Sequence, residues 1–417
     1  MFDSPPFSDI IGKKKSFRNE MLMTNESNLH HTTEPHLIYA DNAATTPLCR
    51  TAFNAMLPYL NSIYGNPSSP HRFGQEAAAA LLGAREKLAA LLGCSARELY
   101  FTSGGTEADN QAIYSAALFG AKQGKLHIIS TAIEHHAVLR PLEKLGEQGF
   151  EITLLPVPEN GIAELEALKA ALRPDTALVS VMYANNEIGT IQPITEISQL
   201  CRTHGVLFHT DAVQAAGHLP LRLSLDSDGA CIDYLSLSAH KFCGPKGIGL
   251  LYARRGVPME SLIAGGAQER GKRAGTENLP GIVGMTAALS ERIAHMDETA
   301  KRLVPLRDLL IRELLLIPGS HLNGDPIRRL PGNVNLSFDG IEGESLLLLL
   351  DARGIFASSG SACTSGSLEP SHVLLALGRS PALARGSLRL SLGEETTEKD
   401  IHYIAETVRE CVLRLRG

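Results

Sequence analysis

The chain has 417 residues and little that would suit it to a membrane, a nucleic acid or an oxidising compartment. No uninterrupted apolar stretch approaches the roughly 18 residues that span a bilayer. Lys and Arg form no dense block, and 45 acidic against 39 basic residues leave a net charge of −6. A general surface for nucleic acid or anionic lipid is therefore not expected. Cysteine is sparse: seven residues, at 49, 94, 201, 231, 243, 363 and 411, with no Cys-x-x-Cys spacing. An odd count in a long chain disfavours a disulfide framework and a structural zinc site alike. Thiols that serve mostly as small buried apolar residues fit a reducing compartment, so the expected location is cytoplasmic.

What is present suits a globular protein. Apolar residues make up 44% and charged residues 20%, which excludes disorder along the whole chain. At roughly 100–200 residues per domain, the length suggests two to three domains. Residues 1–36 read as a flexible extension, polar and mixed in charge, without the apolar core of a secretory signal. Asp3, Asp9, Glu20 and Glu26 interrupt any acid-poor transit pattern, and Met21 and Met23 stand as alternative starts.

Beyond the extension, an Ala/Leu-rich helix is expected over Glu76–Leu92, stopped at Gly93. Short β-type runs then alternate with helical stretches: Leu99–Thr102, Leu126–Ser130, Glu151–Leu155, Ala177–Met182, Val206–Thr210, Tyr234–Leu237 and Ile248–Tyr252. Several are almost continuously apolar, as strands covered on both faces are. Seven strands interleaved with helices predict an α/β layer with a mainly parallel sheet, a large domain over residues 49–296. From about residue 297 the pattern changes to a helix (Leu303–Leu316), strands at Asn333–Phe338 and Ser387–Ser391, and a last helix around Glu398–Leu415. This predicts a smaller α+β domain, residues 297–417 joined by 37–48. Within it, eight of the ten residues 358–367 are Ser, Thr or Gly, too small and polar to pack a core, and a mobile loop is expected.

Polar residues gather where the predicted strands end, the usual ligand edge of an open α/β sheet. Thr102-Ser103-Gly104-Gly105-Thr106-Glu107 follows a strand and opens the helix Glu107–Phe119. Bare N–H groups at a helix N-terminus can cradle a phosphate, although an ordinary helix cap has the same look. In Ser236-Leu237-Ser238-Ala239-His240-Lys241 a lysine closes a strand and precedes a tight turn; most lysines are solvated surface charges, but one held at a strand end beside a phosphate cradle can form a Schiff base. Asp211 ends an apolar strand, where a carboxylate needs a cation: either a core Arg or Lys, or the protonated nitrogen of a pyridine cofactor. Ala184-Asn185-Asn186-Glu187-Ile188-Gly189 and Ile133-Glu134-His135-His136 also follow strands, and alone would pass for a turn and a structural histidine. Together these parts match a pyridoxal-phosphate site.

The motifs Asp41-Asn42-Ala43-Ala44-Thr45-Thr46-Pro47, Tyr64-Gly65-Asn66-Pro67-Ser68-Ser69, Ser103-Gly104-Gly105-Thr106-Glu107, Asn185-Asn186-Glu187-Ile188-Gly189, Ser238-Ala239-His240-Lys241, Arg273-Ala274-Gly275-Thr276 and Ser358-Ser359-Gly360-Ser361-Ala362-Cys363-Thr364-Ser365-Gly366 occur in this order. With them, Tyr39 to about Gly393 resembles the NifS/IscS-type cysteine desulfurases, within the class V aminotransferase-like pyridoxal-phosphate enzymes. The resemblance implies the fold-type I architecture of pyridoxal-phosphate transferases, a homodimer, and the cofactor pyridoxal 5'-phosphate.

It also implies roles by position. Lys241 would hold the cofactor covalently. Gly105 N–H, Thr106, Ser238 and His240 would bind its phosphate, with Thr276 reaching across from the partner subunit. Asp211 would pair with the ring nitrogen, Asn186 and Gln214 with the phenolic oxygen, and His135 would stack on the ring and relay protons. Arg389 would clamp the carboxylate of L-cysteine. Cys363 would take the substrate sulfur as a persulfide and hand it to a sulfur-acceptor protein, for iron–sulfur cluster assembly or other sulfur traffic, leaving L-alanine. A selenocysteine lyase or another class V aminotransferase or lyase is the neighbouring enzyme reading. A non-enzymatic interaction protein that keeps only the fold is the reading from another class.

Overall fold

The computed structural model describes residues 36–223, 231–359 and 369–417. Nearly all of the predicted extension and most of the 358–367 loop, Cys363 included, lie outside them. The strands are β1 (Ile38–Tyr39), β2 (Leu99–Thr102), β3 (His127–Thr131), β4 (Glu151–Leu155), β5 (Thr176–Ser180), β6 (Leu207–Asp211), β7 (Tyr234–Ser238), β8 (Gly249–Ala253), β9 (Ser320–Leu322), β10 (Asn333–Phe338), β11 (Ile355–Phe356) and β12 (Ser387–Ser391). Seven of them make one sheet in the order β2-β8-β7-β6-β5-β3-β4. The five from β7 to β4 run parallel, and β8 is antiparallel to both of its neighbours. This is the expected mainly parallel seven-stranded sheet. The largest displacement of a strand end is at β5, read to Met182 and ending at Ser180.

The two-residue period of a strand sends alternate side chains to opposite faces. Ile129, Val179, Phe208, Leu235 and Leu250 enter one core, with helices Arg72–Leu92, Ile194–Thr203 and Leu279–Ala294. Their chain neighbours Ile128, Leu178, Tyr234 and Leu251 enter a second core on the other face, with helices Gly105–Ala121 and His136–Glu147. Cover on both faces is why these strands read as continuous apolar runs.

The outer edge of β2 meets side chains instead of a strand. Glu269 accepts the Phe101 N–H at 3.0 Å, while Arg85 and Arg270 donate to Leu99 O at 2.8 and 2.6 Å. Arg85 and Glu269 also form a buried bidentate pair at 2.8 and 2.5 Å. Glu269 and Arg270 accept left-handed backbone angles, φ 45° and 57°, to make this hook. It satisfies edge groups that would otherwise recruit another strand.

A further core joins Ile38 and Ala40 to residues far along the chain. Leu303, Leu310 and Leu314 come from helix Met296–Leu315, Val334 and Phe338 from β10, Leu388 and Leu390 from β12, and Ile401, Val408 and Val412 from helix Glu398–Arg416. β12, β10 and β9 form an antiparallel sheet in that order, and β1 pairs in parallel with β11.

Among the helices the sequence did not single out are Arg50–Asn61 and Leu279–Ala294. Arg50–Asn61 is capped by Cys49, whose Sγ accepts from Ala52 N–H at 3.4 Å, and it contains Pro58. Neither residue signals a helix. Leu279–Ala294 did carry a readable start, since Asn278 caps Gly281 N–H at 3.1 Å with a proline in the first turn. Among the described residues, no helix is long and apolar enough to cross a membrane.

Candidate active site

The first helix after β2 begins at Gly105, two residues before the expected Glu107. Gly104 precedes it in extended backbone, and no side chain caps its first turn. The free N–H groups at this end belong to the predicted Gly104-Gly105-Thr106 cradle. Packing around it is close: a Cβ on Gly105 would lie 2.6 Å from Val213 Cγ2, and one on Gly249 2.6 Å from Gly104. Ser238, at the end of β7, borders the same spot, 3.5 Å from that Gly105 Cβ. Thr106 is exposed at the mouth.

Lys241 follows β7 in a short 3-10 turn, Ala239–Lys241. Its Nζ donates to Ala43 O and Ala44 O, both at 2.7 Å. Gln214 Nε2 donates to the same Ala43 O at 2.9 Å, which brings the lysine and the glutamine together. His240 Nδ1 shares a hydrogen bond with Thr45 Oγ1 at 3.1 Å, and Thr46 donates to His240 O through both its N–H and its hydroxyl. The segment 41–46 is thus the hub on which the lysine turn is hung. Sequence reasoning quoted it only as a motif, because spacing alone cannot pair residues about 200 positions apart.

Asp211 closes β6 and is buried, and among the described residues its carboxylate accepts one hydrogen bond, from Val213 N–H at 2.9 Å. Burial first, then the nearby Asp109 carboxyl, raises its pKa, while the Lys241 charge pulls the other way. A cation is what this carboxylate lacks. His135 caps helix His136–Glu147, accepting from Ala137 N–H at 3.1 Å. Burial, with the Lys241 charge next, holds its pKa down to about 4, so its ring is neutral at physiological pH. His240 is likewise held down to about 4 by burial and Lys241. The influence of one ammonium on His135, His240 and Asp211 marks these four groups as neighbours in one pocket.

Arg389, on β12, is 2% exposed. Its Nη2 pairs with Asp41 Oδ1 at 2.8 Å and its Nη1 donates to Asn186 O at 3.0 Å, while its buried Nε–H has no partner among the described residues. The guanidinium thus reaches the pocket through the same 41–46 segment and keeps a spare donor. Asn186 is half-buried and meets Arg389 through its backbone; Asn185 beside it is the structural member, bonded to Ile133 O, Glu187 N–H and Ile188 N–H.

Thr276 is exposed on this chain. The stretch before it is tied to the cradle by Arg273, which pairs with Glu107 at 2.9 Å, and Glu107 in turn accepts Ser103 N–H. Cys363 lies outside the described residues. The contacts that sequence reasoning missed are Asp41 with Arg389 and the carbonyls of Ala43 and Ala44.

The aminotransferase class-V family model matches residues 38–404. The chain belongs to that family, and its architecture is the fold type I expected from the sequence. Among its relatives is a cysteine desulfurase IscS of Methanosarcina thermophila, 52% identical over 386 residues, which are 93% of this chain and 94% of the relative. A solved NifS-like protein superposes with TM-score 0.84 at 39% identity, covering 91% of this chain and all of that one. SspA, solved in complex with cysteine, gives TM-score 0.74 at 35% identity, over 85% of this chain and 98% of its own.

Proposed function

We propose that the Lys241 pocket is the active site of a cysteine desulfurase that takes sulfur from L-cysteine as a persulfide on Cys363. The chain is a pyridoxal-phosphate-dependent enzyme of this kind, as its relatives at about 50% identity over most of their length are. One observation carries the assignment to this pocket. The charge of a strand-end lysine acts on a buried carboxylate, and a glycine-lined helix N-terminus packs against Val213, whose N–H holds that carboxylate.

These residues fit the cofactor. The cradle at Gly104–Thr106, with Ser238 and His240, suits a phosphate. Asp211 suits the cationic ring nitrogen, Gln214 and Asn186 the phenolic oxygen, and the neutral His135 the ring face. Lys241 Nζ would hold the cofactor through its aldehyde carbon. Bound there, pyridoxal phosphate supplies an electron sink for the charge that develops at the substrate Cα.

The remaining work falls to the chain. Arg389 binds the substrate carboxylate with its spare Nε–H. Lys241, displaced by the substrate amine, removes the Cα proton and returns protons as the product forms. Asp211 would pair its charge with the ring nitrogen, and the 43–44 carbonyls give the lysine ammonium a resting place. Cys363 attacks the substrate sulfur as a thiolate. Its sulfur bonds to the substrate sulfur, the substrate Cβ–S bond breaks with its electron pair staying on carbon, and that carbon is protonated. The sum is L-cysteine plus a thiol giving L-alanine plus a persulfide, which then passes to an acceptor protein.

The homodimer belongs to the same reading. Phe53, Leu57 and Leu60 follow one another at helical spacing on Arg50–Asn61, with Tyr64 just beyond its end, and all four are 41–71% exposed. Such a stripe suits a second copy of the chain, which would also bring Thr276 to a neighbouring phosphate.

Cys363→Ala tests the reading directly. The variant is expected to keep its cofactor absorbance and to lose nearly all sulfur release from L-cysteine. Wild-type turnover in Cys363→Ala would remove the persulfide step.

A further inference from the structure

One layer beneath the site, the sheet changes character. Going two residues along each central strand, on the face under helix Gly105–Ala121, apolar side chains give way to polar ones. Ile128 is followed by Ser130, Leu178 by Ser180, Leu207 by His209 and Tyr234 by Ser236. All four polar groups are at most 1% exposed. They form a continuous belt. Ser130 Oγ donates to Ser180 O at 2.8 Å, Ser180 Oγ meets His209 Nδ1 at 2.8 Å, and His209 Nε2 meets Ser236 Oγ at 3.0 Å.

Asp109 descends onto this belt from the first turns of the cradle helix. It is 1% exposed, its Oδ1 lies 3.4 Å from His209 Nε2, and that oxygen makes no hydrogen bond among the described residues. Its helix neighbours facing the sheet are Ala108, Ala112 and Ala116. Packing alone therefore asks for a small apolar residue at 109, and an unmatched buried polar atom costs about 1–3 kcal/mol. Asp211 stands two residues beyond His209 on the same strand, hence on the same face.

We propose that Asp109 is a positioning residue for the cofactor, acting through the buried belt on Asp211 to set how firmly that carboxylate holds a positive ring nitrogen. The inference rests on the cofactor reading given above. The charged or titratable groups around it are His209 and Asp211 on β6, Glu134 on the loop after β3, and Lys241 and His135 across the pocket. Burial raises the pKa of all three carboxyls and lowers that of His209. At most a fraction of the cluster is anionic at once, because like charges in a low-dielectric site oppose each other. A negative Asp109 therefore competes with an ionised Asp211, and a neutral one leaves the negative charge on Asp211, beside the ring nitrogen.

The test is a pH titration of the holoenzyme's visible cofactor band. Asp109→Asn keeps the shape and removes the competing carboxyl, so the midpoint of the band's transition is expected to rise by about one pH unit. The pyridoxal-phosphate dissociation constant should fall in parallel. In an Asp211→Asn background the same substitution should move the midpoint much less. An unchanged midpoint in Asp109→Asn, or an equal shift with and without Asp211, overturns the proposal. If Asp109→Asn does not fold, Ser236→Ala leaves the carboxyl in place and removes the Ser236 hydroxyl, whose hydrogen bond to the Asp109 carboxyl favours its charged form. It is expected to shift the midpoint the same way, and no shift there overturns the proposal too. A wild-type protein that binds pyridoxal phosphate with no visible band would instead defeat the cofactor reading.

Discussion

Gly105 gives the sharpest test of the cradle. A methyl group added there would lie 2.6 Å from Val213 Cγ2, where ordinary contact begins at 3.4 Å, so the two must part by 0.8 Å. Val213 cannot yield freely. Its branched side chain is stiff about χ1, and its N–H is the group that holds the Asp211 carboxylate. Overpacking of this kind costs roughly 1–3 kcal/mol. Spent on the cofactor-bound geometry, that weakens pyridoxal-phosphate binding by roughly 5- to 150-fold, at about 1.4 kcal/mol per tenfold.

The neighbouring glycine is the control. A Cβ on Gly104 would meet Ser238 Oγ at an ordinary 3.8 Å, in backbone that any residue adopts. Gly104→Ala should therefore stay within about twofold of wild type, the effect of roughly 0.5 kcal/mol. The assay is absorbance titration of apoenzyme with pyridoxal phosphate, with the melting temperature of each apo variant recorded beside it. If Gly105→Ala moves neither quantity, or Gly104→Ala proves the more harmful, the packing of the cradle has been misread.

Two other substitutions report on the rest of the pocket. Asp41→Asn removes the carboxylate that occupies Arg389, so the free enzyme should lose roughly 3–5 kcal/mol of stability as a buried charge goes unpaired. Its melting temperature should then rise more on adding L-cysteine than the wild type's does; an equal rise would show that Asp41 does not share the guanidinium with substrate. Burial holds the Glu134 carboxyl up to about 8, against roughly 4.3 in the unfolded chain, so between those values the native apoenzyme binds more protons. The Glu134 contribution to stability therefore falls as pH rises from about 4 to about 8. Glu134→Gln should flatten that slope in denaturant titrations, and an unchanged slope would place the titration elsewhere.

The parts of the fold governed by local periodicity could be read from the sequence. All seven strands of the main sheet were visible, because burial on both faces writes itself as short apolar runs between glycine-rich turns. The strand-end groups were visible for the same reason: Lys241, Asp211 and the 103–107 loop each interrupt such a run with a residue that packing does not want. Helix Arg50–Asn61 stayed hidden because a thiol does the work of a usual cap. The Glu269–Arg270 hook stayed hidden because left-handed angles at a glutamate and an arginine leave no local sign. The polar belt was present in the strands as Leu178-x-Ser180 and Tyr234-x-Ser236, but its meaning appears only when Asp109 is set down on it.

The contacts with no local signal are the ones that complete the pocket. Asp41 meets Arg389 across 348 positions, and Asn42 Nδ2 bonds Ser391 O across 349. The segment 41–46 also carries the carbonyls that receive Lys241. It is seated between β1, paired with β11, and an isolated bridge from Asp41 to Ser391 on β12. Contacts of such sequence separation carry a high loop-closure cost and form late. The cradle and Asp211 depend on the main sheet alone, which closes within residues 99–253. The lysine's resting place and the guanidinium depend on β12, near the end of the chain. A pocket that can bind phosphate should therefore form before one that can hold the substrate carboxylate, and the 41–46 segment is the joint between the two stages.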